Sequence, residues 1–108
     1  MPFGITETKP VPIKFMGAPI VFDVTSGAVL TWANSIPNGA SGVLVSLKGA
    51  DVHWAVNTDP SSAAGNLLPK AQRAAVLIQN DPETVRQLRF IAIEAGTGKL
   101  IANFFQEP

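Results

Sequence analysis

The chain has 108 residues, of which 46% are hydrophobic and only 15% are charged, and its eight acidic and eight basic side chains cancel. This length fits one domain, and the absence of any Lys/Arg cluster argues against nucleic acid as a partner. Because typical soluble domains are roughly 25% charged, we expect part of the apolar surface to be covered by another protein.

Targeting and redox features are missing from the sequence. There is no cysteine, so neither a disulfide nor a thiolate metal site can form. No segment approaches the ~18 consecutive apolar residues of a membrane span, and the N-terminus lacks the basic start and apolar stretch of a signal peptide. We therefore expect no membrane partner, and synthesis and assembly in the cytoplasm.

Prolines characterise the start of the chain, at Pro2, Pro10, Pro12 and Pro19. Each lacks the backbone N–H that a β ladder needs, so residues 1–18 are predicted to form an extended arm or an edge element. The β-sandwich domain is then expected to span residues 19–108.

The remaining chain is a series of short apolar strands separated by turn residues. Strand patterns cover residues 20–24, 28–33, 42–48, 51–56, 74–78, 88–93 and 99–105. Gly49-Ala50 joins two of these patterns in the clearest predicted hairpin. Seven short strands with regular turns predict an all-β fold, an antiparallel β-sandwich of the jelly-roll or Ig-like kind.

Two segments depart from the strand pattern. Asp81 followed by Pro82 is typical of a helix N-cap and first helical position, which predicts one short helix through Arg86 or Gln87. Residues 57–72 are rich in Ser, Ala, Gly and Asn and predict a long functional or interface loop.

Side-chain alternation also predicts a core. The residues expected to be largely buried are Val45, Val52, Trp54, Phe90, Ile93 and Leu100. Replacing Trp54 with alanine should then cost about 3–5 kcal/mol. Trp32 and Trp54 could instead form an exposed platform for a sugar ring, but both alternate in phase with aliphatic neighbours, which favours core packing.

Catalytic chemistry has little support in the residue types. His53 is the only histidine, no nucleophile motif accompanies it, and strand alternation places it on the outer face as a surface or interface residue. Most carboxylates lie at turns, and Gly96-Thr97-Gly98-Lys99 lacks the spacing of a phosphate-binding loop. No cluster of metal ligands occurs. We expect no catalysis, no cofactor and no metal.

Several short motifs follow one another over residues 42–106. They are Gly49-Ala50-Asp51-Val52-His53-Trp54, the loop from Asp59-Pro60 to Gly65-Asn66-Leu67-Leu68-Pro69, the strand Leu88-Arg89-Phe90, and the strand Lys99-Leu100. Their order and spacing resemble small structural proteins of tailed bacteriophages and prophages. The resemblance implies that Trp54, Phe90 and Leu100 lie in the core and that Asp59, Pro60 and Gly65 lie in a structured loop. Near the Asp-Pro step, Asn57-Thr58 stands where related sequences often carry glycine.

The resemblance implies a virion component, assembled in the host cytoplasm, that works by binding. A head decoration or cement protein that stabilises the capsid lattice fits best. The alternatives are a tail or head-to-tail joining protein, a glycan-binding virion module and, last, a small hydrolase. The expected partners are further copies of the chain, as a trimer, and the major capsid or another virion protein. The candidate interface residues are Pro10, Pro12, Met16 beside Phe15, His53, Asp59 and Pro60.

Overall fold

The computed structural model describes residues 14–106, and these form two packed antiparallel sheets. In chain order the elements are β1 (Lys14–Phe15), β2 (Ile20–Val24), β3 (Leu30–Thr31), β4 (Gly42–Lys48), β5 (Val52–Val56), β6 (Asn66–Leu68), β7 (Ala75–Ile78), α1 (Pro82–Arg86), β8 (Leu88–Ala92) and β9 (Gly98–Gln106). The predicted all-β sandwich with one short helix is confirmed for this part of the chain.

The pairing of the strands defines a jelly roll. Sheet A has the order β2-β9-β4-β7, with β1 also beside β9, and sheet B has the order β3-β8-β5-β6. Four pairs are therefore nested inside one another along the sequence: β2 with β9, β3 with β8, β4 with β7, and β5 with β6. A long antiparallel hairpin that is wrapped into two sheets gives this arrangement. Of the two sandwich types that the sequence left open, jelly-roll and Ig-like, the structure therefore has the first.

The core lies between the sheets and follows the two-residue period of the strands. In sheet A the inward positions of β9 are Leu100, Ala102 and Phe104, and all three are buried. Trp32, which follows β3, is 1% exposed, and its ring lies 4.8 to 5.2 Å from the rings of Phe22, Phe90 and Phe104. Its indole N–H donates to the carbonyl oxygen of Val85 at 2.8 Å, so its polar atom is satisfied.

Two of the six residues predicted for the core are only half-buried. Val45, Val52, Phe90 and Leu100 are buried as expected, whereas Trp54 and Ile93 are not. Ile93 lies one residue beyond the inward-facing Ala92 and so falls on the other face of the sheet. Trp54 packs against the core, but its neighbour on the next strand is Asn66, at the start of a short edge strand. The fully buried tryptophan is Trp32.

The predicted helix cap is confirmed. Asp81 is the N-cap of α1, and its carboxylate accepts a bond from the Thr84 backbone N–H at 3.1 Å and another from the Thr84 hydroxyl at 2.6 Å. These bonds, the hydroxyl bond first, hold the pKa of Asp81 below its usual value. The helix begins at Pro82, whose missing N–H costs nothing at that position.

The first described residues belong to the edge of sheet A. Lys14 pairs with Gln106 and Phe15 with Phe105, and after an irregular stretch around Gly17 the pairing resumes at Ile20 with Ala102. The end of the segment predicted as an arm is thus an edge strand. Residues 1–13, which contain Pro10 and Pro12, lie outside the described part of the chain.

Candidate functional site

The loop that joins β5 to β6, residues 57–65, folds over the outer face of sheet B. His53 lies on that face, and its Nδ1 is 2.7 Å from the carbonyl oxygen of Ser61. A carbonyl oxygen only accepts, so His53 donates from Nδ1. Ser61 and Ala64 close the tip of the loop through two reciprocal backbone bonds of 2.8 and 3.3 Å. The single histidine therefore holds a loop in place.

Gly65 allows the loop to lie this close to the strand. Its φ is +148°, and a Cβ at this position would lie 2.7 Å from the Cβ of His53 and 3.2 Å from the Cβ of Pro60. Both the backbone conformation and the contact distance exclude a larger side chain. The structured loop that the resemblance implied around Asp59, Pro60 and Gly65 is present.

The start of the loop has an ion pair and a residue in the left-handed backbone conformation. The carboxylate of Asp59 lies 2.7 Å from the guanidinium of Arg89 on β8. Asn57 has a φ of +54°, a left-handed conformation that asparagine tolerates better than most residues. Pro60, within this loop, is buried, which leaves it little surface for a partner, whereas Asp59 is exposed.

An open groove of about 560 Å³ lies beside the loop, lined by Ser26, residues 60–62 and residues 91–95. Its one carboxylate, Glu94, already accepts the backbone N–H of Asp51 at 2.8 Å and lies 3.6 Å from the ammonium of Lys70. Within residues 14–106 no group of three or more His, Asp or Glu side chains could hold a metal ion. The groove offers hydroxyls and aliphatic side chains without a concentrated charge.

A second surface, the outer face of sheet A, was not singled out by the sequence. Its most exposed apolar residues are Val21 at 57%, Phe15 at 49% and Val76 at 49%. Leu44 and Ile101 lie half-buried between them. The sequence did contain a signal for this face, the run Val43-Leu44-Val45. Successive side chains of a strand point to opposite faces, so a run of apolar residues places apolar side chains on both faces of the sheet.

The remaining candidate residues divide between the two sides of sheet A. Met16 is half-buried and packs against the core, and its backbone N–H donates to Phe104 at 2.9 Å. Phe15 lies on the outer face, where its ring meets that of Phe105 edge-on at 6.0 Å. A tryptophan platform for a sugar is not available at Trp32, which is buried, and Trp54 packs against the core.

Comparison with known proteins gives no match to a family model, to a curated protein or to a solved structure. Among residues 14–106 there is no helix with the length and apolar character to cross a bilayer.

Proposed function

We propose that this protein is a self-associating structural component that works by binding, and that its role is to decorate the head of a tailed bacteriophage. The observation that carries the binding role is the outer face of sheet A. Three large apolar side chains, Phe15, Val21 and Val76, are each about half-exposed on it. Large exposed apolar side chains grouped on one face of a soluble protein are typical of an interaction surface.

The phage role is supported by the ordered motifs over residues 42–106 and, by analogy alone, by the fold. Jelly rolls build viral capsid proteins, but also lectins and cupins, so the architecture is compatible with the role without selecting it. A capsid lattice is symmetric, and a small domain with an apolar face and no net charge suits repeated attachment to such a lattice.

Immunogold electron microscopy of phage particles released from the source strain tests the role. Label spread over the capsid surface is expected. Label confined to the tail or to one vertex would replace decoration with the joining role, and particles without label would contradict a virion role altogether.

Self-association is tested separately by multi-angle light scattering of the purified full chain. We expect a trimer. A monomer at every accessible concentration would remove the proposed use of the apolar face between copies.

A further inference from the structure

The apolar residues on the outer face of sheet A are distributed over all of its strands. Pairing places Val21 of β2 beside Ile101 of β9, Leu44 of β4 beside Val76 of β7, and Phe15 of β1 beside Phe105 of β9. Ser46 and Asn103 are the polar residues between them. The patch therefore extends from the β1-β2 edge to β7 without a charged side chain.

Charges lie at one end of this patch. Asp23, Lys99 and Lys48 form a single row across β2, β9 and β4, and the ammonium of Lys99 lies 2.6 Å from the carboxylate of Asp23. The strands have already used their backbone groups to pair with one another. An occupant of the face must therefore bind through apolar side chains and needs no backbone hydrogen bonds from the sheet.

The segment 1–13 of this chain has the composition that such a face requires. It carries apolar side chains at Phe3, Ile5, Val11 and Ile13, and its charged side chains, Glu7 and Lys9, cancel. Its prolines cannot donate to a sheet edge but do not hinder packing on a sheet face. Thirteen residues span up to ~43 Å when extended, whereas four strands are only about 15–20 Å across.

The direction of β1 favours binding of residues 1–13 to sheet A of another copy over binding to sheet A of their own chain. Because β1 is antiparallel to β9 and Lys14 pairs with Gln106, β1 begins level with the last residue of β9, and a chain continued straight back from Lys14 would leave the sheet. It would have to reverse at once to cover its own sheet. Pro10 and Pro12 restrict the residues before them to extended conformations, which opposes such a reversal.

We propose that residues 1–13 of one copy lie across the outer face of sheet A of a second copy, and that this contact joins the copies into the oligomer. The inference rests on the self-association proposed above and names the surfaces that produce it. The contact is heterologous, since an arm meets a face, and a ring of such contacts closes when the rotation between copies allows it.

Light scattering of four full-chain or truncated proteins tests the contact. Removal of residues 1–13 and the substitution Val76→Lys should each reduce the oligomer to a monomer, while circular dichroism stays unchanged. Val21→Lys, on β2 at the other edge of sheet A, repeats the test if Val76→Lys fails to fold. The control is Leu67→Lys, because Leu67 is equally exposed at 57% but lies in β6, in sheet B, and this variant should keep the oligomer.

Two results separate this inference from the proposed function. If the full chain is an oligomer that survives both the truncation and the lysine substitutions, self-association stands and the arm contact is overturned. If the lysines dissociate the oligomer but the truncation does not, the face is covered by the body of another copy and the arm is again excluded. A monomeric full chain overturns both.

Cross-linking distinguishes exchange between copies from folding back within one copy. Since the chain has no cysteine, full-length Val11→Cys and Val76→Cys proteins can be mixed and oxidised with copper phenanthroline. A disulfide-linked heterodimer is expected, and a Val11→Cys with Leu67→Cys mixture should give none. Intrachain linkage of a Val11→Cys/Val76→Cys double variant at high dilution, with no heterodimer in the mixture, would overturn the exchange.

Discussion

At the scale of single residues, Trp32 is the side chain on which the core depends most. It is 1% exposed, contacts three other aromatic rings and has its indole N–H bonded to Val85. Trp54 lies at the margin of the same core. The two tryptophans have similar sequence patterns around them, but they should contribute differently to the free energy of unfolding.

Trp32→Ala should lower the free energy of unfolding by about 3–5 kcal/mol, because it empties a large aromatic site and leaves the Val85 carbonyl without its donor. Trp54→Ala should cost clearly less, since part of that ring is already in water. Urea denaturation of both variants measures the difference. Equal losses, or a larger loss for Trp54→Ala, would show that the aromatic cluster around Trp32 is not the dominant core contact.

Gly65→Ala should destabilise the protein by about 1–3 kcal/mol, because the added methyl meets the Cβ of His53 and the backbone has a positive φ. Gly27→Ala is the matched control. Nothing lies within 4 Å of a Cβ added there, and its φ is not in the region that favours glycine. Thermal unfolding should be nearly unchanged for Gly27→Ala, and a similar change in both variants would argue against a close contact between the loop and β5.

At the scale of elements, sequence reasoning succeeded where the signal is local. The Asp81-Pro82 cap needs only neighbouring residues, and the helix begins where it was predicted. Sequence reasoning failed for β6, Asn66–Leu68, because it placed these residues inside a long loop. Those residues have little strand propensity of their own and become a strand by pairing with β5, a contact that a local pattern does not contain.

The outer faces of the sheets show the same limit. Alternation indicated that His53 faces outward, but it did not reveal that residues 57–65 return to cover it. Nor could it show which of two apolar faces is left open, because Leu44 and Val45 are equally apolar and only the second sheet decides that Val45 is buried. Long-range pairing carried the missing information in both cases.

The cap of α1 makes a prediction about pH. Since the folded pKa of Asp81 is lowered, its carboxylate adds stability above the unfolded pKa, and this contribution is lost as the pH falls through the folded value. Asp81→Asn keeps a capping side chain but has no carboxylate to protonate. The stability difference between wild type and Asp81→Asn should therefore shrink from about pH 6 to about pH 2.5, below the model-peptide pKa of Asp.

Urea midpoints at the two pH values measure this difference, with Asp23→Asn as a comparison whose carboxylate pairs with Lys99 on the surface. A gap between wild type and Asp81→Asn that is the same at both pH values would mean that protonation of Asp81 does not affect the fold.

At the scale of the whole molecule, the nested strand pairs bring together residues that are distant in sequence. Ile20 pairs with Ala102, and Leu30 pairs with Phe90. Such contacts require large loops to close before they are formed, which slows folding. We expect folding in milliseconds to seconds, with one cooperative transition.

Stopped-flow fluorescence of Trp32, in a Trp54→Phe background, measures this rate. The buried indole reports the assembly of both sheets, because its ring contacts lie on β2, β8 and β9. Folding within microseconds would contradict the dependence on long-range pairing.

The pairing of Lys14 with Gln106 also determines how the chain can be re-engineered. Paired residues on antiparallel strands have Cα atoms only ~4.5–5.5 Å apart, so a short glycine-serine bridge could join residue 106 to residue 14. New ends could then be opened at the exposed tip between Ser61 and Ala64. In such a circular permutant β6 would be the first strand of the chain and β5 the last. The pair that is innermost in the present sequence would then join the two ends of the chain, and the eight-strand jelly roll would be unchanged.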